Sequence, residues 1–172
     1  MNIWRNKVIF ITGANGFLGS HLVKKALSYK ARVIVLIKDD IRFSLFRIEG
    51  LGGKCKIYQG DLLNSKMVNS IFKNNKIDLC FHIAAQAIVG VANNSPLGTF
   101  KTNIEGTWNI LEAARVYGVK AMVVASSDKA YGEHKKLPYK EDAPLIALHP
   151  YDASKSCADI LSRTYAHTYK LP

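Results

Sequence analysis

Cysteine is scarce and unpatterned in this chain. Cys55, Cys80 and Cys157 are odd in number and no CxxC occurs, which argues against a disulfide framework and gives no reason to expect a metal site. Cys55 and Cys80 sit in apolar, strand-like runs, where cysteine behaves as a small hydrophobe. A reduced intracellular compartment is the simplest reading. Long hydrophobic runs are missing as well. The longest mostly apolar stretch, 79–92, is interrupted by His82 and Gln86 and falls short of the roughly 20 residues that a spanning helix needs. The first seven residues, Met1 to Lys7, hold no apolar signal core and lead straight into a strand. The expectation is a soluble, cytoplasmic protein without a membrane segment.

Acid is the under-represented charge. There are 24 basic and 13 acidic residues, for a formal net charge of +11. A polyanionic partner is one reading of that excess. However, Lys24-Lys25 and Lys135-Lys136 are the only adjacent basic pairs, and no basic run is interleaved with aromatics. A solvated basic surface is therefore expected and no nucleic acid. Repeats and low-complexity tracts are also absent. Hydrophobic residues make up 48% of the 172, enough for the core of one domain and too many for a disordered chain.

Short apolar runs alternate with longer segments of helical period. Strands are expected at 8–12, 33–37, 55–58, 78–83 and 121–125. Helices are expected at 17–29, 43–49, 66–73, 97–117 and 151–169, the first with Leu18, Leu22, Ala26 and Leu27 on one face. Strands of continuous apolar character alternating with helices imply a parallel sheet covered on both faces. Right-handed crossovers then give a doubly wound α/β fold of Rossmann type. The segment 132–150, with Pro138, Pro144 and Pro150 among charged residues and no clear period, reads as a long loop.

Three groups of residues carry chemistry. Thr12-Gly13-Ala14-Asn15-Gly16-Phe17-Leu18-Gly19 leaves the first strand and opens the first helix. Its spacing is GxxGxxG rather than GxGxxG. Gly13 allows the tight turn, Gly16 lets the backbone approach a pyrophosphate, and Gly19 lets the helix pack closely on the sheet. The free N–H groups of the helix start face the phosphates. Asn15, Phe17 and Leu18 belong to the same expected dinucleotide loop. Ile37-Lys38-Asp39-Asp40 ends the second strand. An acid there suits the ribose hydroxyl of NAD and a base the 2′-phosphate of NADP. Both are present, so the choice between NAD and NADP stays open. Asp61, followed by Leu62, is either an adenine contact or a turn acid. Finally, Ser126-Ser127-Asp128-Lys129 ends the fifth strand, and Tyr151 and Lys155 lie one helical turn apart. An ammonium beside a phenol favours the phenolate and makes it a usable base near neutral pH, and Ser127 can hydrogen-bond the same substrate oxygen.

With these residues in view, the chain resembles the extended short-chain dehydrogenases/reductases of the nucleotide-sugar epimerase/dehydratase group. The matches are Thr12 to Gly19, Gly60-Asp61-Leu62, His82 to Gln86, Thr102-Asn103 with Gly106-Thr107, Ser126 to Gly132, and Pro150-Tyr151 to Lys155. The resemblance implies that Ala84, Ala85 and Gln86 line the cofactor beside the fourth strand. It implies that Asn103 is the family asparagine of the following helix, and that Ser127, Tyr151 and Lys155 form the catalytic triad, the last two also touching the cofactor. Asp128-Lys129 resembles the acid–base pair of CDP-glucose and UDP-sugar 4,6-dehydratases, which simple 4-epimerases lack; Ala84-Ala85-Gln86-Ala87 also looks like the CDP-glucose branch. Lys129 would be the base, made neutral by burial, and Asp128 the acid. The implied partners are NAD, or NADP, and a nucleotide-diphosphate sugar, with a homodimer as the assembly. The resemblance further implies that residues 1–172 form the cofactor-binding domain alone, truncated before the C-terminal substrate domain, with an uncovered sheet edge that invites self-association.

Overall fold

The computed structural model describes residues 3–172. Five strands form one wholly parallel sheet in the order β3-β2-β1-β4-β5: β1 Val8–Thr12, β2 Arg32–Ile37, β3 Lys56–Gln59, β4 Leu79–His82 and β5 Ala121–Val124. The order reverses beside β1, and a doubly wound sheet opens a crevice at such a switch point. The helices are α1 Phe17–Ser28, α2 Leu45–Ile48, α3 Ser65–Asn75, α4 Val89–Asn94, α5 Pro96–Phe100, α6 Gly106–Val116 and α7 Pro150–Tyr169. Among the described residues, no helix is long and apolar enough to cross a membrane.

Alternation along each strand splits the core in two. Val8, Phe10, Ile34, Leu36 and Cys80 face α3 and α6, with Phe10 set edge-on against Phe72 at 5.3 Å between ring centroids. Ile9, Ile11, Val33, Val35 and Ile37 face α1 and α2. Burial pushes the thiol pKa of Cys80 well above its ordinary value and that of Cys55 up to about 11, so both stay protonated at neutral pH and pack as apolar groups.

Four details depart from the sequence reading. The inner face of α1 is Gly19, Ser20, Val23 and Ala26, while Leu18 is 56% exposed. The cause is Gly19: it rests on the turn so closely that its position fixes the rotation of the helix and turns Leu18 outward. The stretch after β4 contains α4, which the apolar run concealed. The expected helix 97–117 is interrupted by a π turn, Lys101–Glu105, where the Gly106 N–H reaches back to the Lys101 carbonyl. Lastly, Asp78 lies before β4 rather than in it. Its carboxylate accepts from the Val8 N–H at 2.9 Å and pairs with Lys120 at 2.7 Å.

Candidate functional site

A cleft of about 350 Å³ opens at the carboxyl ends of β1, β2 and β4. Gly13, Asn15, Gly16, Phe17, Leu18 and Gly19 form one wall, Lys38, Asp61 and Leu62 another, and Ala84 and Ala85 the third. Gly13 has φ +67°, and a Cβ there would lie 2.8 Å from the Ala84 nitrogen. A Cβ on Gly19 would lie 2.0 Å from the Gly13 carbonyl oxygen. Both glycines are therefore required by contact and not only by flexibility. The turn closes through Gly16 N–H to the Gly13 carbonyl at 3.0 Å. No side chain caps the start of α1 and no acid stands in its first turn, so its N–H groups and positive dipole end are left for an anion. These residues fit a dinucleotide pyrophosphate.

The opposite end of the cleft holds a contact that the sequence did not reveal. Lys38 Nζ and Asp61 Oδ2 pair at 2.9 Å across the ends of β2 and β3. Asp61 Oδ1 also accepts from the Leu63 N–H at 3.0 Å, so Asp61 is at once a turn acid and a cleft wall. Partial burial opposes its charge, but the Leu63 N–H and the Lys38 ammonium outweigh burial and hold its pKa below the ordinary value. The hydrogen bond that Lys38 donates to Asp61 raises the pKa of Lys38 in turn. Asn15 anchors the rim by donating to the Asp39 carbonyl at 2.6 Å. Thr12, Asp39, Ala87 and Thr102, which stand within the quoted motifs, also line the cleft, as does Ile41, which no motif marks and which the meeting of separate strand ends brings there.

Gln86 and Asn103 stand behind the wall rather than in it. Asn103, 2% exposed, accepts from the Gln86 N–H at 2.7 Å and donates to the Gln86 carbonyl at 3.0 Å and to Ser154 Oγ at 2.9 Å. The strand-β4 loop is thereby fastened to α7. Lys155, on α7, is buried and donates to the Ala125 carbonyl at 2.5 Å. Desolvation lowers its pKa, with Asp159 partly opposing. Tyr151 is half-buried at the first turn of the same helix. Ser127 caps the 3-10 turn Asp128–Tyr131, accepting from the Lys129 N–H and donating to Asp128 Oδ1, each at 3.2 Å. Asp128 and Lys129 are exposed. The burial expected of Lys129 is not present: both residues lie at the exposed start of the 3-10 turn that follows β5. Ser127 and Asp128 border a second concavity, which Tyr131, Tyr139, Glu141 and Arg163 also line.

The comparisons with known proteins agree with this geometry. The family described as GDP-mannose 4,6 dehydratase matches residues 10–172. The chain is similar to a CDP-glucose 4,6-dehydratase of Salmonella typhimurium, 31% identical over 99% of this chain and 48% of that protein. It is similar to the structure of a Thermotoga maritima UDP-glucose 4-epimerase with UDP-glucose, with TM-score 0.85, 32% identity and coverage of 95% of this chain and 52% of that one. It is similar also to the Stenotrophomonas maltophila UDP-glucose-4-epimerase with bound NAD and formylated UDP-arabinopyranose, with TM-score 0.81, 27% identity and coverage of 94% and 49%. The chain spans about half the length of the curated relatives it matches. Those relatives are enzymes, both dehydratases and epimerases. On its fold, its glycine turn and these matches, the chain belongs to the NAD-dependent epimerase/dehydratase family of extended short-chain dehydrogenases/reductases.

Proposed function

We propose that this chain is the cofactor-binding part of a nucleotide-sugar 4,6-dehydratase, with NAD or NADP as its dinucleotide. The observation that carries the reading is Asp128-Lys129, an acid and a base directly after Ser127 at the end of β5. The match to a CDP-glucose 4,6-dehydratase over 99% of the chain supports it. A second reading, a 4-epimerase, is supported by the UDP-glucose 4-epimerases among the relatives, 33% identical in one case.

The uncapped start of α1 and the glycine turn would hold the pyrophosphate, and Asp61 with Lys38 would meet the adenosine end. A bound nicotinamide dinucleotide supplies a reversible hydride acceptor. Tyr151 takes the proton of the sugar 4-hydroxyl as C4 is oxidised to the ketone, with Ser127 hydrogen-bonded to the same oxygen. The ketone acidifies the C5 proton, which Lys129 removes. Asp128 protonates the departing 6-hydroxyl, so that water leaves and a C5–C6 double bond forms. Reduction at C6 and protonation at C5 give the 4-keto-6-deoxy sugar. Lys155 holds its ammonium against the Ala125 carbonyl one turn from Tyr151, where positive charge favours the phenolate.

Incubation of the chain with NAD or NADP and CDP-, UDP-, GDP- and dTDP-hexoses, followed by mass spectrometry, tests the reading. A product lighter by one water, lost in Tyr151→Phe and in Lys129→Ala, establishes the dehydratase and names its nucleotide. An isomer of unchanged mass supports the epimerase. No product with dinucleotide still bound sinks the claim that this segment suffices for catalysis.

A further inference from the structure

His82 is 2% exposed and lies between the cleft wall and α6, and none of the steps above uses it. Its Nδ1 is 2.8 Å from Thr12 Oγ1, and its Nε2 is 3.0 Å from Thr107 Oγ1. The surrounding hydrogen bonds fix its protonation. Thr12 Oγ1 accepts from the N–H groups of Ile83 and Ala84, each at 3.1 Å. A hydroxyl has two lone pairs and one proton. Both lone pairs are taken, so the Thr12 proton points to His82 Nδ1, which must be bare. Nε2 then carries the hydrogen and donates it to Thr107. Thr107 passes its own proton to the Asn103 carbonyl at 2.6 Å. Asn103 donates to Ser154, and Ser154 donates to the Tyr151 carbonyl at 2.6 Å. Every donor in this line points the same way, from the turn towards α7. A second proton on the imidazole would find no acceptor. Desolvation, reinforced by the nearby Lys155 ammonium, lowers its pKa to about 3.

Both ends of the line are functional walls. Ile83 and Ala84 line the cleft, and Ala84 is the residue against which Gly13 packs. Ser154 lies between Tyr151 and Lys155 on the opening turns of α7. We propose that His82 is a positioning residue. As a neutral imidazole protonated on Nε2, it couples the glycine turn to the helix carrying Tyr151 and Lys155, through Thr12, Thr107, Asn103 and Ser154. The affinity arm of the test rests on the dinucleotide reading above; the spectroscopic arm does not.

Nitrogen-15 NMR of the histidine-labelled chain reads the tautomer directly. The expected His82 spectrum is that of an Nε2-protonated neutral ring, unchanged from pH 7.5 to about pH 5. An Nδ1-protonated ring, or titration near the ordinary histidine pKa of about 6.5, overturns the assignment. Thr107 does not line the cleft, so Thr107→Val removes a link without touching cofactor. The valine variant is expected to weaken NAD binding about fivefold to tenfold, as loss of a buried hydrogen bond does, and Thr107→Ser to restore it to within about twofold. In the valine variant the amide resonances of Ala84 and Ser154, at opposite ends of the line, should both move. A lowered melting temperature with unchanged NAD affinity and still amides at either end would reduce the line to packing and overturn the proposal. If the parent chain binds no NAD, the dinucleotide reading fails, and the ring spectrum with the two amides decides the role of His82 by itself.

Discussion

Strands β1 and β5 lie on either side of β4 and differ sharply in burial. All five residues of β1 are buried, whereas none of the four in β5 is, and Val123 is 47% exposed. On the side of β1, the cleft is shaped by backbone contacts that tolerate no added atom. On the side of β5, Ser127 is half-buried while Asp128 and Lys129 stand in solvent, and of the proposed catalytic residues only Lys155 is enclosed. The difference separates two kinds of residue. Those proposed to cradle the dinucleotide take their geometry from packing within this chain. Those proposed to move protons stand mostly at the surface of this chain, with Lys155 buried beneath them.

The largest expected effect lies on the buried side. Gly19→Ala forces a Cβ into the Gly13 carbonyl, and calorimetry should show a stability loss of about 4–5 kcal/mol or more, with no measurable NAD binding. Mild destabilisation with NAD still bound would mean that the turn can open. Phe72→Ala, which empties the contact with Phe10, should cost about 3–5 kcal/mol in urea unfolding. Val123→Ala, on the open side, should cost about 0.5 kcal/mol or less. Equal costs for these two would erase the contrast between the flanks. Tyr151→Phe should lower turnover by about 10²–10⁴ and leave NAD affinity within about threefold, which single-turnover kinetics and calorimetry can separate.

The smallest effects are in pH dependence. The Asp61 pKa is lower in the folded chain than in the unfolded one, so its stabilisation is present above the unfolded value near 4 and is lost as pH falls through the folded value. Lys38 is 58% exposed in the pair, and Asp61→Asn should change the acid limb by about 1 kcal/mol at most. Lys155 changes stability in the same direction with pH, but on the alkaline limb. Its folded pKa lies below 10.5, so the unfolded chain binds more protons as pH rises towards that value, and stability increases. Lys155→Met should flatten this rise in urea melts between pH 7 and pH 10. A rise that persists in the variant would place its source elsewhere.

The strands and the glycine turn were legible in the sequence because each depends on local pattern: continuous apolar runs for parallel strands, and a glycine turn between a strand and a helix. The cleft was legible where a motif is contiguous, as at residues 12–19. The Lys38–Asp61 pair was not, because it joins two strand ends 23 residues apart. Nor was the His82 line, whose partner Thr12 lies 70 positions away. Leu18 misled because an apolar side chain on a helical stripe reads as core, whereas the true contact is the hydrogen atom of Gly19. Helix α4 was hidden in an apolar run whose period is too short to read.

The π turn at Lys101–Glu105 acts as a dislocation in an otherwise continuous rod. One residue more than a regular helix needs has been fitted into it, and that surplus sets the phase of everything upstream. Thr102 reaches the cleft and Asn103 meets Gln86 and Ser154 only with that phase. Deleting a single residue there would heal the helix and give it better hydrogen bonds, while swinging α5 about 100° round the axis and carrying both side chains off their targets. At this one place a more regular chain is a less competent one, and selection for stability alone would remove the feature.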